Sequence, residues 1–150
     1  DDKILEVSYR TGFLDVLSLW GKGNPTAALD IQFVRDAGVI GSGGERKLFN
    51  LSRLLLKNSS ILLVDEPTAG VDPIMATKII SAIDNLSMNR LVILISQEPP
   101  VIKRLADVVV CLKNGKFIDV GSPEELLSRN SLFKELWDKY SYGSDATTGT

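Results

Sequence analysis

Two short stretches concentrate the residues able to do chemistry. Ser42-Gly43-Gly44-Glu45 sets a hydroxyl and two glycines directly ahead of a leucine-rich helical pattern. Glycines let the main chain approach a ligand closely, and a helix N-terminus presents free N–H groups and the positive end of the dipole. With a hydroxyl added, this is the chemistry of an anion site, phosphate above all. The same four residues also read as a capping box, Ser42 at the N-cap and Glu45 three residues on, with the glycines serving only the turn. The second stretch is Ile61-Leu62-Leu63-Val64-Asp65-Glu66-Pro67, an apolar run closed by two acids. Ligands of open parallel sheets bind at the carboxyl ends of strands. Asp65 there can coordinate Mg²⁺ directly or through water, and Glu66 can polarise an attacking water. Two solvated acids before a proline turn are the plainer alternative.

These stretches need elements to hold them. Leu48, Leu51, Leu54 and Leu55 share one side of a predicted helix over 45–57. Ile61–Val64 reads as a fully buried parallel strand. A helix over 73–87 follows, with Pro73 in its first turn, and Leu91–Ile95 reads as a second buried strand. A short helix over 101–105 leads to Val108–Leu112 and Phe117–Val120, joined by Asn114-Gly115, a strong hairpin signal. Ser122, Pro123 and Glu125 start another helix with a capping box, and a last one is expected over 131–140. Before residue 41 the pattern is weaker. Residues 2–20 are closer to helical than alternating, despite Ser8 and Gly12. Residues 21–25 break the chain, and 26–36 fit either a short helix or an irregular packed segment. The order makes an α/β chain on a parallel sheet, with no strand in the first ~55 residues and a small, polar, disordered tail over 141–150.

Composition narrows the class. The chain has 150 residues, 44% hydrophobic and 24% charged, the profile of about one globular domain. Seventeen basic against nineteen acidic residues give a net charge of −2, which argues against coating nucleic acid or a polybasic membrane contact. There is one cysteine, Cys111, so no internal disulfide, and a reducing compartment is expected. There is no histidine, which removes imidazole as base, switch or ligand and leaves a zinc site without a ligand set. No apolar run approaches the ~18 residues of a membrane span. The opening Asp1-Asp2-Lys3, without Met or a leader pattern, is expected of a processed or partial chain.

Taken together and in order, these segments resemble the nucleotide-binding domain of ATP-binding-cassette (ABC) proteins. Ser42-Gly43-Gly44-Glu45-Arg46 looks like the family's signature loop, the helix ending Ser52-Arg53-Leu54-Leu55-Leu56 like the one behind it, and Ile61 to Thr68 like the Walker B strand. Ala69-Gly70-Val71-Asp72 matches the D-loop, Leu91–Ile95 the strand before the switch loop, and residues 106–127 the terminal hairpin and following helix. Asp15-Val16-Leu17 sits where exporter-type domains have the helical subdomain. The resemblance covers residues 3 to 140. It implies a partial P-loop-NTPase-like parallel sheet with flanking helices, part of the helical subdomain, and a C-terminal hairpin and helices. Residues 1–58 would be the helical subdomain with its signature loop, and 59–140 the second part of the ATPase core.

The departures from the family pattern are specific. No Walker A loop, Gly-x-x-x-x-Gly-Lys-Ser/Thr, occurs, and the Q-loop is missing as well. Gln97 stands where the family usually has a switch histidine; an amide can hydrogen-bond a phosphate but cannot relay a proton. Gly41 replaces a larger apolar residue at the start of the signature, which implies a looser loop.

The resemblance implies head-to-tail pairing with a second nucleotide-binding domain around ATP and Mg²⁺. Ser42, Gly43, Gly44, Glu45 and Asp72 would contact nucleotide, Asp65 the metal, and Glu66 with Gln97 would occupy the catalytic positions. The expectation is a degenerate domain that lends its signature loop in trans to a partner's ATP during ATP-driven transport. Transmembrane domains would lie on another segment or chain, and the domain on the cytoplasmic or matrix face of a membrane. The alone-standing chain is expected neither to bind ATP tightly nor to hydrolyse it. The ending, residues 121–137, looks like exporters of the multidrug-resistance-associated type, whereas Glu66-Pro67-Thr68-Ala69 is commoner in importers and lipid-exporter relatives, so the subtype stays open. The alternative is a structural pseudo-ATPase that assembles a larger complex without transport. A soluble ATPase acting on DNA or ribosomes fits the charge balance less well.

Overall fold

A computed structural model of the chain describes residues 1–31, 41–57 and 59–145. Contacts divide it into two compact units, Asp1–Ile93 and Leu94–Thr150.

The first unit opens with two helices, α1 (Asp2–Thr11) and α2 (Leu14–Trp20), rather than one helical stretch. Gly12 separates them in the left-handed region at φ 73°, a conformation glycine adopts without a Cβ penalty at a helix C-terminus. A short 3₁₀ helix, Pro25–Asp30, follows, started by Asn24, whose side chain accepts the Thr26 N–H at 3.1 Å. It settles the first part of the ambiguous stretch; residues 32–36 of that stretch lie outside the described residues. Then come α3 (Gly43–Leu56), β1 (Ile61–Asp65), α4 (Pro73–Ser87) and β2 (Leu91–Ile95), whose last two residues are counted with the second unit; α4 and β2 occur at the bounds their patterns predict.

α1 packs on α3 and α4, and α3 on α4. Val7, Leu48, Leu51, Leu55, Ile79, Ala82, Ile83 and Leu86 are buried there. Two buried hydroxyls join the first and third helices: Thr11 Oγ1 and Ser52 Oγ lie 2.6 Å apart. Each also has a carbonyl of its own helix within reach, Val7 O at 3.1 Å and Leu48 O at 2.9 Å; one hydroxyl donates across the pair and the other to its carbonyl, so neither is left unsatisfied.

β1 and β2 form a two-stranded parallel sheet, with Leu91 N–H donating to Ser60 O at 2.9 Å where they start. The expectation of fully buried strands is corrected. In β1 only Leu62 and Val64 are buried, whereas Leu63 is 73% exposed, and in β2 Leu91 and Ile93 are exposed too. Side chains alternate with period two, so helices on one face cover every second residue and leave the others bare. Among the described residues no strand precedes Ile61.

In the second unit, α5 (Pro99–Leu105) starts at Pro99, two residues ahead of expectation, because proline suits the first turn, whose N–H groups lack helical partners anyway. β3 (Val109–Lys113) and β4 (Lys116–Gly121) pair antiparallel, from Val109 opposite Gly121 to Lys113 opposite Lys116, with a bulge between Cys111 and Leu112. The turn is Asn114-Gly115, both at positive φ (52° and 73°), as the predicted hairpin requires. α6 (Pro123–Ser128) carries the predicted capping box: Ser122 Oγ accepts Glu125 N–H at 3.2 Å, and Glu125 Oε2 accepts Ser122 N–H at 2.9 Å.

α7 (Leu132–Asp145) overruns the expected end at Tyr140, so residues 141–145 are helical rather than an irregular tail. Within this extension Ser141 donates its hydroxyl to Trp137 O at 3.0 Å, a bond back to the preceding turn that the helix accommodates. Residues 146–150 lie outside the described residues. Val109, Cys111, Leu126 and Phe133 form this unit's core, with Ile102, Ala106, Leu127 and Leu132 packed against it.

Candidate functional site

The first half of the predicted site is the N-terminus of α3. Ser42 is its N-cap; its hydroxyl accepts Glu45 N–H at 3.3 Å, while Glu45 Oε2 accepts Ser42 N–H at 2.6 Å. The capping box is therefore real, and it leaves the anion-site reading open, since both Ser42 and Gly43 are exposed. The two glycines have different reasons to be there. A Cβ on Gly43 would meet nothing within 4 Å, so packing does not demand glycine at that position. Gly44 is buried, and a Cβ on it would run into Cγ of Met75 on α4.

Gly41, expected to loosen the loop, is itself closely packed. It is buried, an added Cβ would lie 3.0 Å from Trp20 Cζ2, and its carbonyl accepts Arg46 Nε at 2.9 Å. The Trp20 ring fills the room that a larger residue would otherwise use. Trp20 in turn stands edge-on to Phe13, ring centroids 5.6 Å apart.

The second half is the carboxyl end of β1. Asp65 is exposed and Glu66 half-buried. Glu66 has φ 42°, the left-handed region that side-chain-bearing residues occupy at a cost of about 1–3 kcal/mol. Its carbonyl accepts Ala69 N–H at 3.3 Å, and Thr68 O accepts Val71 N–H at 3.4 Å, which turns the chain towards Asp72. Asp72 is exposed and serves as N-cap of α4, its Oδ1 accepting Met75 N–H at 3.0 Å.

Lys47, absent from the sequence reading, joins the two halves: its Nζ donates to Glu66 O at 3.1 Å and to Ala69 O at 2.6 Å. A signal for it was available. Arg46 and Lys47 are cations close to the positive end of a helix dipole, where they are disfavoured unless something else engages them. Both are engaged, each by main-chain carbonyls.

Ser42, Gly43, Gly44, Glu45, Asp65, Glu66 and Asp72 thus all belong to the first unit, and Lys47 connects their two groups. Gln97 lies in the second unit, exposed, just after β2, where Ser96 Oγ accepts Glu98 N–H at 3.1 Å.

Among the described residues no three Asp, Glu, Cys or His side chains converge on a metal position. Mg²⁺ at Asp65 would therefore need ligands from outside this set, and nucleotide phosphate oxygens are of the hard, oxygen-donor kind it prefers. Two clefts of the first unit, about 270 Å³ between α1 and α4 and about 280 Å³ around Asn85–Arg90, include none of the predicted site residues. No helix among the described residues is long and apolar enough to cross a membrane.

No protein-family model matches the chain. It is 31% identical over 138 residues to the mitochondrial iron-sulfur clusters transporter ATM1 of Chaetomium globosum, covering 91% of this chain and 22% of that protein. It is 31% identical to the glutathione/L-cysteine transport system ATP-binding/permease protein CydC of Haemophilus influenzae, over 93% of this chain and 23% of the relative. An ATP-dependent lipid A-core flippase of Methylobacillus flagellatus is 36% identical over 71% of the chain and 18% of its own length. The chain thus spans less than a quarter of these curated relatives. Its fold matches the structure of a bacterial Atm1-family ABC exporter with ATP bound, at a TM-score of 0.76 and 24% identity, over 94% of this chain and 24% of that one. In sequence and in fold, the chain is akin to one stretch of an ABC exporter.

Proposed function

We propose that the chain is the second part of an ABC nucleotide-binding domain, and that it lends Ser42, Gly43 and Gly44 in trans to the γ-phosphate of an ATP held by a second such domain. The observation that carries this reading is the open N-terminus of α3, where Ser42 and Gly43 are exposed and nothing crowds Gly43. A phosphate can approach the main chain there and meet N–H groups and the helix dipole together.

Asp65 would hold Mg²⁺, which when bound neutralises charge developing on the transferred phosphate. Glu66 would orient the attacking water, with Gln97 bonding the phosphate as a neutral amide. Gln97 cannot take or return a proton, which on this reading makes the cis half degenerate and leaves the trans half intact. The roles of the relatives support ATP-driven transport by the assembled protein. The assembly would place this chain on the cytoplasmic or matrix face of a membrane, beside transmembrane domains carried elsewhere.

Isothermal titration of the 150-residue chain with Mg-ATP tests the degenerate half. The expected result is no binding at micromolar nucleotide, and a micromolar Kd would overturn it. The lack of histidine also favours a second reading, a pseudo-ATPase scaffold. Co-purification separates the two: a stable complex free of transmembrane subunits supports the scaffold, and association with transmembrane domains supports transport.

A further inference from the structure

We propose that Lys47 is a positioning residue that ties the phosphate-facing turn Ser42–Gly44 to the acidic turn Glu66–Ala69, so that a ligand at the first changes the order of the second. This rests on the trans role proposed above for its transmission step; the tie itself rests on geometry alone.

Lys47 Nζ donates to two main-chain carbonyls of the turn, Glu66 O at 3.1 Å and Ala69 O at 2.6 Å. The turn's own main-chain bonds are longer, 3.3 Å from Ala69 N–H to Glu66 O and 3.4 Å from Val71 N–H to Thr68 O. Hydrogen bonds from a charged donor are shorter and about twice as strong as neutral ones. The ammonium is therefore a principal restraint on a segment that also carries a left-handed Glu66.

Two neighbouring contacts make the link stiff. On the α3 side, buried Gly44 packs so closely on Met75 that no Cβ fits between them. On the far side of the turn, Asp72 caps α4 by accepting Met75 N–H. The residue packed against the phosphate-facing turn is thus also the residue whose N–H anchors the end of the acidic turn. A displacement of the α3 N-terminus reaches Glu66 through Lys47 and Asp72 through Met75. Lys47 touches no nucleotide in this scheme; it acts through the main chain of Glu66.

Amide hydrogen exchange on the 150-residue chain tests the tie without nucleotide. In K47M the Ala69 and Val71 amides should exchange about tenfold faster, while Leu51 and Ile83 in the helical core keep wild-type rates. K47R, which keeps charge and donors, should restore most of the protection, and K57M, at an exposed lysine beyond the same helix, should change nothing. Wild-type rates at Ala69 and Val71 in K47M would overturn the proposal.

The transmission step is read in the assembled pair with Mg²⁺ and the non-hydrolysable analogue AMP-PNP. The analogue should slow exchange at Ala69 and Val71 in the wild type and not in K47M. Equal protection in K47M would overturn transmission through Lys47. Binding that S42R leaves unchanged would instead overturn the trans role, while the nucleotide-free comparison still decides the tie.

Discussion

Gly44 on α3 and Met75 on α4 share one space: the methionine side chain stands where a Cβ on residue 44 would have to go. One residue earlier, Gly43 faces open space. Two adjacent glycines of one motif therefore answer to different demands, packing at residue 44 and, in the proposed role, ligand access at residue 43.

Substitution separates these demands. G44A should lower stability by about 1–3 kcal/mol, the usual cost of forcing extra volume into a packed contact. G43A should leave the urea midpoint unchanged or slightly raised, since alanine is the better helix former by about 1 kcal/mol. In an assembled pair G43A should nevertheless slow the partner's ATP turnover. Denaturation of both variants beside an ATPase assay checks the split.

The acidic pair offers a second test, in a protein that also carries a Walker A loop. With Gln97 in place, E66Q should alter ATP turnover little. With Q97H introduced first, turnover should rise and E66Q should then cost about 10²–10³, the scale of losing one positioned transition-state contact. Steady-state phosphate release from the four combinations gives the answer, and a large loss from E66Q alone would show that the cis site is live.

Much of this was legible in the sequence, for reasons tied to particular residues. Pro73–Ser87 and Leu91–Ile95 occur at their expected bounds because an N-terminal proline in one and an unbroken aliphatic run in the other leave little choice. Asn114-Gly115 dictated the hairpin, since few pairs accept two consecutive positive φ angles. What escaped were relations between segments distant in the chain. Neither Lys47 reaching the carbonyl of Ala69 nor Trp20 filling the room beside Gly41 has a local periodic signature. The bare faces of Leu63 and Leu91 escaped as well, because an apolar run looks the same whether one or both faces are covered.

The hydroxyl pair of Thr11 and Ser52 should behave as a unit. Each hydroxyl keeps a carbonyl acceptor if the other is removed, so T11V or S52A alone should cost about 1 kcal/mol. The double variant should cost less than the sum of the two, as expected for groups in direct contact. Urea unfolding of the four proteins measures the coupling.

Cys111 gives a pH dependence whose sign can be worked out. Its thiol is pushed above the ordinary value, first by burial and then by the negative charge of Asp119, against a smaller opposing hydrogen bond with the Phe133 main chain. At neutral pH folded and unfolded chains both keep the proton, so the group contributes no pH dependence there. As the pH rises through the ordinary thiol value, the unfolded chain ionises first and stability falls. Urea midpoints should therefore drop between pH 7 and 9.5 in the wild type, and drop less in C111A. At pH 8 the native thiol should react with iodoacetamide far more slowly than the urea-unfolded chain.

In the proposed arrangement this chain works on an ATP held by its partner. The most direct measurement is the partner's ATP turnover in an assembled pair carrying S42R here and an intact Walker A loop in the partner. Arginine at residue 42 removes the hydroxyl and blocks the open approach to the α3 N-terminus. Turnover should fall about 10²-fold or more, the loss expected when a positioned phosphate contact disappears. Turnover equal to that of the wild-type pair would contradict the account.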